Sequence, residues 1–292
     1  MKLIKPSFEI LPQSKGLDGI YKQIEIAGRI CFKSEDKITD TSAKEFVKRM
    51  IKSNHGSVLE QGTVYLTHPI ENSGSPSYLG IGTKYRENKY SKVNYDNWGT
   101  RYITTNYRVL VENDWLDDLQ YLCEPIEYHE KRTTVKFICD KSISHEFVRH
   151  RVFSFSQEST RYCNYSSKDK FNNELTFIIP CWIDDIEERF NSDYNYCSHS
   201  EYHHGKDDAN KQWYDVCMNA EYVYNDLIQK GWTPQQARAV LPNSLKTELV
   251  MTGFDSDWEH FFELRTPATA HPQARELAIP LQKEMNKIKK NK

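Results

Sequence analysis

The sequence predicts an α+β fold in which mixed helices surround an antiparallel sheet, with residues 1–292 forming a single catalytic-sized domain. Three observations predict it. Helical and strand-like periods are interspersed without a regular strand–helix–strand alternation, so a parallel sheet is not expected. The strand-like runs at 133–139 and 245–254 are short and rich in β-branched residues. Aromatics make up 13% of the chain, with 18 Tyr and 6 Trp. A chain of mean hydropathy -0.75 can therefore still bury a core, because each ring covers a large area.

In chain order, a first helix fits 17–30, with Ile20, Ile24 and Ala27 on one face. A second starts near Ser42, whose hydroxyl makes a capping box with Glu45, buries Phe46, Val47, Met50 and Ile51, and stops by Gly56. Residues 70–100 read as a polar excursion from the core. Ile103, Tyr107, Val109 and Val111 predict a strand, and Asn113 caps a short helix carrying Trp115, Leu119 and Leu122. After the 133–139 strand, 142–151 has helical spacing through Ile143, Phe147 and Val148. A polar loop lies at about 190–207. A long helix at 208–230 buries Trp213, Val216, Cys217, Ala220, Val223 and Leu227 and ends at Gly231. Thr233-Pro234-x-Gln236 joins a capping box to proline at the first helical position. Ser256-x-x-Glu259 caps a last compact helix with Trp258, Phe261 and Phe262 inward. Arg265 shares that stripe at i, i+3, i+7, and a guanidinium on a buried side needs an anionic or carbonyl partner. The Lys-rich end at 287–292 reads as a frayed tail.

Charge and cysteine usage narrow the function. With 39 basic against 41 acidic residues the net charge is -2, which gives no electrostatic case for nucleic acid but leaves room for a small anion at a local Arg cluster. The seven Cys are odd in number and form no C-x-x-C pair, so neither a disulfide framework nor a zinc ribbon is indicated. Residues 1–13 have no apolar leader core, and no apolar run could span a bilayer. The expectation is a soluble, cytoplasmic protein with no metal, no membrane and no nucleic-acid partner.

The most informative stretch runs from Ser144 to Tyr162. Three guanidiniums (Arg149, Arg151, Arg161) and the His150 imidazole surround a loop dense in hydroxyls and amides. Arg forks match phosphate and carbonyl edges, so the cluster suits a nucleotide-sized anion. The alternative is that Arg149 and Arg151 lie on a solvated helix face and pair with acidic neighbours.

Arg149-His150-Arg151, seven residues, then Ser159-x-Arg161 resembles the signature of the flavin-dependent thymidylate synthases. Ala27-Gly28-Arg29-Ile30-Cys31, the block from His55 to Glu60, the block from Ala237 to Pro242, and Leu264-Arg265 followed by His271-Pro272-Gln273 resemble further blocks of that family in the same order. The resemblance implies reductive methylation of dUMP to dTMP, with 5,10-methylenetetrahydrofolate as carbon donor and NADPH-reduced FAD as hydride source. It also implies a homotetramer whose sites form between subunits. By the same resemblance Arg149 contacts nucleotide and flavin, while His150, Arg151, Ser57 and His260 contact FAD. Gln157, Glu158, Ser159, Thr160 and Arg161 form the dUMP loop, with Gln157 also at the flavin and Arg161 on phosphate. Glu146 and Arg238 bind dUMP, and Arg265 polarises the uracil. That last role has a physical basis: C5 of uracil is a poor nucleophile until negative charge builds on the ring, and a fixed cation stabilises that charge.

Gln61, Phe254 and Cys31 depart from the family pattern, and the stretch at about 66–132 is longer than in compact members and is expected to decorate the tetramer's outside. Two alternatives stay open. Cys163 or Ser159 could act as a nucleophile, although no partner base stands at a telling spacing. Cys197-x-His199 with His203 and His204 could bind a metal, although surface histidines fit the polar loop better.

Overall fold

The computed structural model describes residues 1–68, 80–183 and 206–290. Its central sheet is four-stranded and antiparallel, in the order β2 (Ser7–Ile10), β6 (Arg132–Asp140), β9 (Lys246–Phe254), β7 (Ser154–Gln157). Alternation along β9 sends Leu249 and Met251 to one face and Val250 to the other. Leu249 and Met251 join Val135 and Phe137 in a core completed by Trp258, Phe261 and Phe262 of α10 (Asp255–Arg265) and Leu277, Leu281 and Met285 of α11 (Pro272–Lys290). Val250 packs on Ala27 and Ile30 of α1 (Gly16–Phe32). The sheet is thus covered on both faces, which is why 246–254 reads as a continuous run.

A second antiparallel sheet, β3 (Thr63–His68), β5 (Arg101–Asn106), β4 (Lys92–Tyr95), lies within and beside the long 66–132 stretch. Its Val64, Leu66 and Ile103 share one core with Ile20 and Ile24 of α1 and with Phe46 and Val47 of α2 (Ser42–Lys52). Tyr85, on α4 (Gly80–Glu87), is fully buried there and donates to Asp118 at 2.7 Å. Tyr85 and the 101–110 segment are thus built into the protein's core, whereas residues 86–100 contain no buried residue and keep the polar, exposed character expected of 70–100. Gly28 permits the α1–α2 contact, since a Cβ there would lie 2.5 Å from the Phe46 ring. A two-stranded parallel pair, β1 (Lys2–Ile4) with β8 (Thr176–Ile178), packs near α8 (Lys206–Gln229) through the Phe177, Cys217 and Tyr224 cluster.

The 17–30 helix, the 133–139 and 245–254 strands, the Gly231 stop (φ +93) and the Thr233–Gln236 capping box form as expected. Other elements differ for local reasons. Ser42 donates its hydroxyl to Glu25 at 2.7 Å instead of closing a box, because that buried carboxylate needs a partner, and Glu45 pairs with Lys48. Tyr107, Val109 and Val111 lie on helix α5 (Tyr107–Glu112), since Asn106 accepts the Val109 N–H at 3.2 Å and nucleates it. Asn113 does not start the next helix but closes α5, its backbone N–H and side-chain amide both bonding the Val109 carbonyl, and Leu116–Tyr121 is a 3-10 helix. The last compact helix is capped by Asp257, which accepts the Phe254 N–H at 3.0 Å, while Ser256 turns to Glu130. Val216 is 58% exposed and Tyr224 takes the buried position. The Lys-rich end, through Lys290, continues α11 in ordered helix, which Pro280 disguises in the sequence.

Candidate active site

Helix α6 (Lys141–Phe147) organises the site. The Asp140 carboxylate accepts the Ile143 N–H at 2.8 Å and caps it. Sequence spacing extends this helix to 151, but it closes earlier: Arg149 and His150 donate their N–H groups to carbonyls three residues back, at 3.3 and 3.1 Å. Such tight bonds end the helix, and Phe153 then anchors the turn against Trp258 with ring centroids 4.7 Å apart. Arg149 and Arg151 therefore sit on an exposed turn. No side-chain partner holds either guanidinium among the described residues, so the acidic pairing offered as an alternative is absent there.

Arg265 comes to this turn from the end of α10. Its Nη1 donates to Glu146 Oε2 at 2.5 Å, its Nη2 to the Glu146 carbonyl at 2.9 Å, and its Nε to His150 Nε2 at 3.0 Å. The stripe argument asked for an anionic or carbonyl partner, and Glu146 supplies both. Because Arg265 has no acceptor to offer, His150 Nε2 must be unprotonated, and the imidazole is neutral. Burial, with the charges of Arg265 and His260 nearby, pushes its pKa down to about 4. His260 lies with its ring centroid 6.4 Å from that of His150 and is otherwise exposed, paired with Glu263.

Residues 157–160 line a cleft of about 420 Å³ together with Lys141, His145, Arg238 and Asn243. Arg238 donates to Thr160 Oγ1 at 3.3 Å, and Gln157 Nε2 donates to Ser144 Oγ at 2.8 Å and Thr247 Oγ1 at 3.2 Å. The Ser159 N–H donates at 3.0 Å to the Cys31 carbonyl in the last turn of α1. The backbone at position 31, whatever its side chain, thus holds the loop. Consecutive residues of α6 serve both regions: His145 lines the cleft and Glu146 holds Arg265.

Glu158 behaves differently from its neighbours. Its carboxylate is turned inward, accepting Tyr165 Oη at 2.8 Å and Lys246 Nζ at 2.8 Å, and it is 1% exposed. Lys246 also bonds Glu248 at 2.7 Å, and Glu248 meets Lys33 at the end of α1. Burial alone raises a carboxyl, but the two ammoniums outweigh it and hold Glu248 at about 2. Neither Lys246 nor Glu248 was among the expected residues. Their signal is in the sequence: at i, i+2 they put two charges on one face of a strand that is otherwise apolar.

Arg161 is exposed, with its guanidinium 5.3 Å from the Tyr162 ring. Tyr162 contacts Phe32 (5.1 Å), and Phe32 approaches His55 (6.5 Å), which precedes the exposed Ser57 of α3 (Gly56–Leu59). The chain therefore brings together Arg265, Glu146, His150 and His260, and separately the 157–160 loop with Arg238. Arg149, Arg151, Arg161 and Ser57 face outward.

The departures are accommodated inside. Phe254 is buried between the Lys92 and Arg132 cations, at 4.5 and 5.7 Å from its ring. Gln61 accepts from Thr252 at 2.6 Å, with its amide nitrogen left unpaired. Cys163 is 2% exposed, and burial with the neighbouring Glu158 charge pushes its thiol up to about 12, which leaves no thiolate for nucleophilic attack at neutral pH. Ser159 Oγ accepts only the Arg161 N–H, with no base beside it among the described residues. The Cys197, His199, His203 and His204 group lies outside the described residues. Among the described residues no helix is long and apolar enough to cross a membrane, and no group of His, Cys, Asp and Glu is arranged to hold a metal ion.

A crystal structure of a UMP/dUMP methylase PolB from Streptomyces cacaoi bound with 5-Br dUMP aligns at TM-score 0.43 and 18% identity, covering 98% of this chain and 93% of that one. The flavin-dependent thymidylate synthase of Pyrococcus furiosus is 29% identical over 194 residues, covering 65% of this chain and 70% of the relative. That of Pyrococcus horikoshii is 29% identical over 174 residues, 60% of this chain and 62% of the relative. That of Corynebacterium efficiens is 33% identical over 144 residues, 48% and 51%. The chain thus spans less than two thirds of the length of the latter two. A family model described as thymidylate synthase complementing protein matches residues 125–289, more than half of the chain and the whole of the Arg-rich block and Arg265. The chain therefore belongs to the thymidylate synthase complementing protein family, alongside the flavin-dependent thymidylate synthases it matches.

Proposed function

We propose that the chain reductively methylates dUMP to dTMP, taking carbon from 5,10-methylenetetrahydrofolate and hydride from FAD that NADPH has reduced. The observation that carries the reading is the convergence of Arg265 with Glu146 and His150, which are 119 and 115 residues away in sequence. Glu146 and the neutral His150 orient the guanidinium, and Arg265 stabilises negative charge on the uracil ring without giving up its own proton. The 157–161 loop and Arg238 bind the nucleotide, with Arg161 on its phosphate.

The residues present fit a flavin. Arg149 and Arg151 offer exposed guanidiniums without side-chain partners among the described residues, and the exposed His260 ring stands 6.4 Å from the ring of the intervening His150. Such donors suit a pyrophosphate and a ring edge. Bound there, FAD would supply the two-electron reduction that no side chain can perform. Ser57, Gln157, His150, Arg149, Arg151 and His260 are the residues that would hold it.

These outward-facing groups also support a homotetramer in which neighbouring chains complete each site. The test is tritium release from dUMP labelled at C5, with methylenetetrahydrofolate, FAD and NADPH present and then with each omitted. Release that depends on FAD and NADPH is expected; release without flavin would overturn the reading.

A further inference from the structure

The cleft beside the 157–161 loop contains a cation outside the set named above. Lys141 opens α6, and with His145 it stands at i, i+4, so both lie on the helix face that lines the cleft. The Lys141 ammonium bonds two neutral oxygens, Thr247 Oγ1 at 3.1 Å and the Glu158 carbonyl at 3.4 Å. Its third N–H has no acceptor among the described residues. The nearest carboxylate, that of Glu158, is bonded by Lys246 and Tyr165. Burial lowers the Lys141 pKa, with the Glu158 charge only partly offsetting it. The protein leaves this cation under-compensated at an open cleft that also holds Arg238 and the Ser159 and Thr160 hydroxyls. That arrangement suits an anion with several oxygens. A phosphate presents three, enough for an ammonium, a guanidinium and a hydroxyl together; a carboxylate presents two.

We propose that Lys141 is a further substrate-binding residue that, with Arg238, holds the phosphate of the nucleotide in this cleft. The inference rests on the reading of the chain as an enzyme acting on dUMP. Lys141→Met is expected to weaken dUMP binding about ten- to a hundred-fold, the effect of losing a charge-assisted hydrogen bond. Deoxyuridine, which lacks the phosphate, should bind as it does to the wild type, both read by isothermal titration. Lys141→Arg should recover most of the lost dUMP affinity. Unchanged dUMP affinity in Lys141→Met, an equal loss for dUMP and deoxyuridine, or a loss confined to methylenetetrahydrofolate would each overturn the assignment. A wild-type chain that binds no dUMP at all refutes the enzymatic reading instead. If Lys141→Met does not fold, reductive methylation of the wild type decides. Mass spectrometry should find Lys141 protected by dUMP and not by deoxyuridine, and equal labelling with both would overturn the proposal.

Discussion

The hydrogen bond from Arg265 Nε to His150 Nε2 runs in one direction only, and this makes the two residues a single electrostatic unit. A protonated His150 would face the guanidinium with a donor instead of an acceptor. Its depressed pKa of about 4 keeps it neutral through the physiological range. An NMR titration should find one imidazole changing charge near that value, and Arg265→Gln should move it up toward the ordinary 6.5. No shift in that variant would mean that burial and His260, not Arg265, hold it down. For turnover, Arg265→Ala should retain fold and flavin but lose roughly a thousand-fold or more in rate, the scale seen when a preorganised charge is removed from a transition state. Wild-type-like rates would end the role assigned to it.

Among the elements, α6 and β9 hold the site from beneath. Asp140 caps α6 and also accepts from Ser142 Oγ and Gln273 Nε2, both at 2.6 Å, tying the helix to α11. Asp140→Ala should cost about 2 kcal/mol, the upper part of the capping range, because Gln273 is left unpaired as well. Urea unfolding would test this, and a change below about 0.5 kcal/mol would show the cap to be unimportant. The Lys33–Glu248–Lys246–Glu158 chain pins the 157–161 loop to β9 and α1 and brings a pH dependence. Glu248 is held at about 2, below its ordinary 4.5. Its stabilising contribution is complete above the higher value and is lost as pH falls toward the lower one. Glu248→Gln should flatten that part of the stability–pH curve, measured by thermal melts; an unchanged slope would contradict the network.

For the whole molecule, the exposure of Arg149, Arg151, Arg161, Arg238, Ser57 and His260 on one chain is the main argument for shared sites. All six polar groups, assigned by family resemblance to two ligands, are exposed, while Arg265 is largely sheltered. If neighbouring chains complete each site, mixing the inactive Arg265→Ala and Arg161→Ala proteins should restore a fraction of wild-type turnover, because some sites would draw both intact residues from different subunits. Absence of recovery in mixtures that native mass spectrometry of one tagged variant shows to be hybrid oligomers would place both residues in one chain's site. Part of the 66–132 stretch belongs to the core, since Leu66, Tyr85 and Ile103 share apolar contacts with α1 and α2.

By itself the sequence determined the α+β class, the principal helices and strands, and the Arg-rich block from which candidate residues were drawn, because these depend on local periodicity, capping chemistry and a dense motif. Arg265 was legible as a buried-side cation from its place on the Trp258–Phe261 stripe. What only the tertiary structure decided is which groups meet. Nothing local says that Glu146 and His150 receive Arg265, that Glu158 turns inward to Lys246 and Tyr165, or that Lys141 is left with a spare donor at the cleft. Those partnerships join residues up to 119 apart in the chain, and desolvation selects them once the sheet and its flanking helices have closed. The local misreadings have the same origin. Ser42 and Ser256 carry capping chemistry, but tertiary packing brought each an acidic partner, Glu25 and Glu130, while Asn113 turned back to the preceding helix.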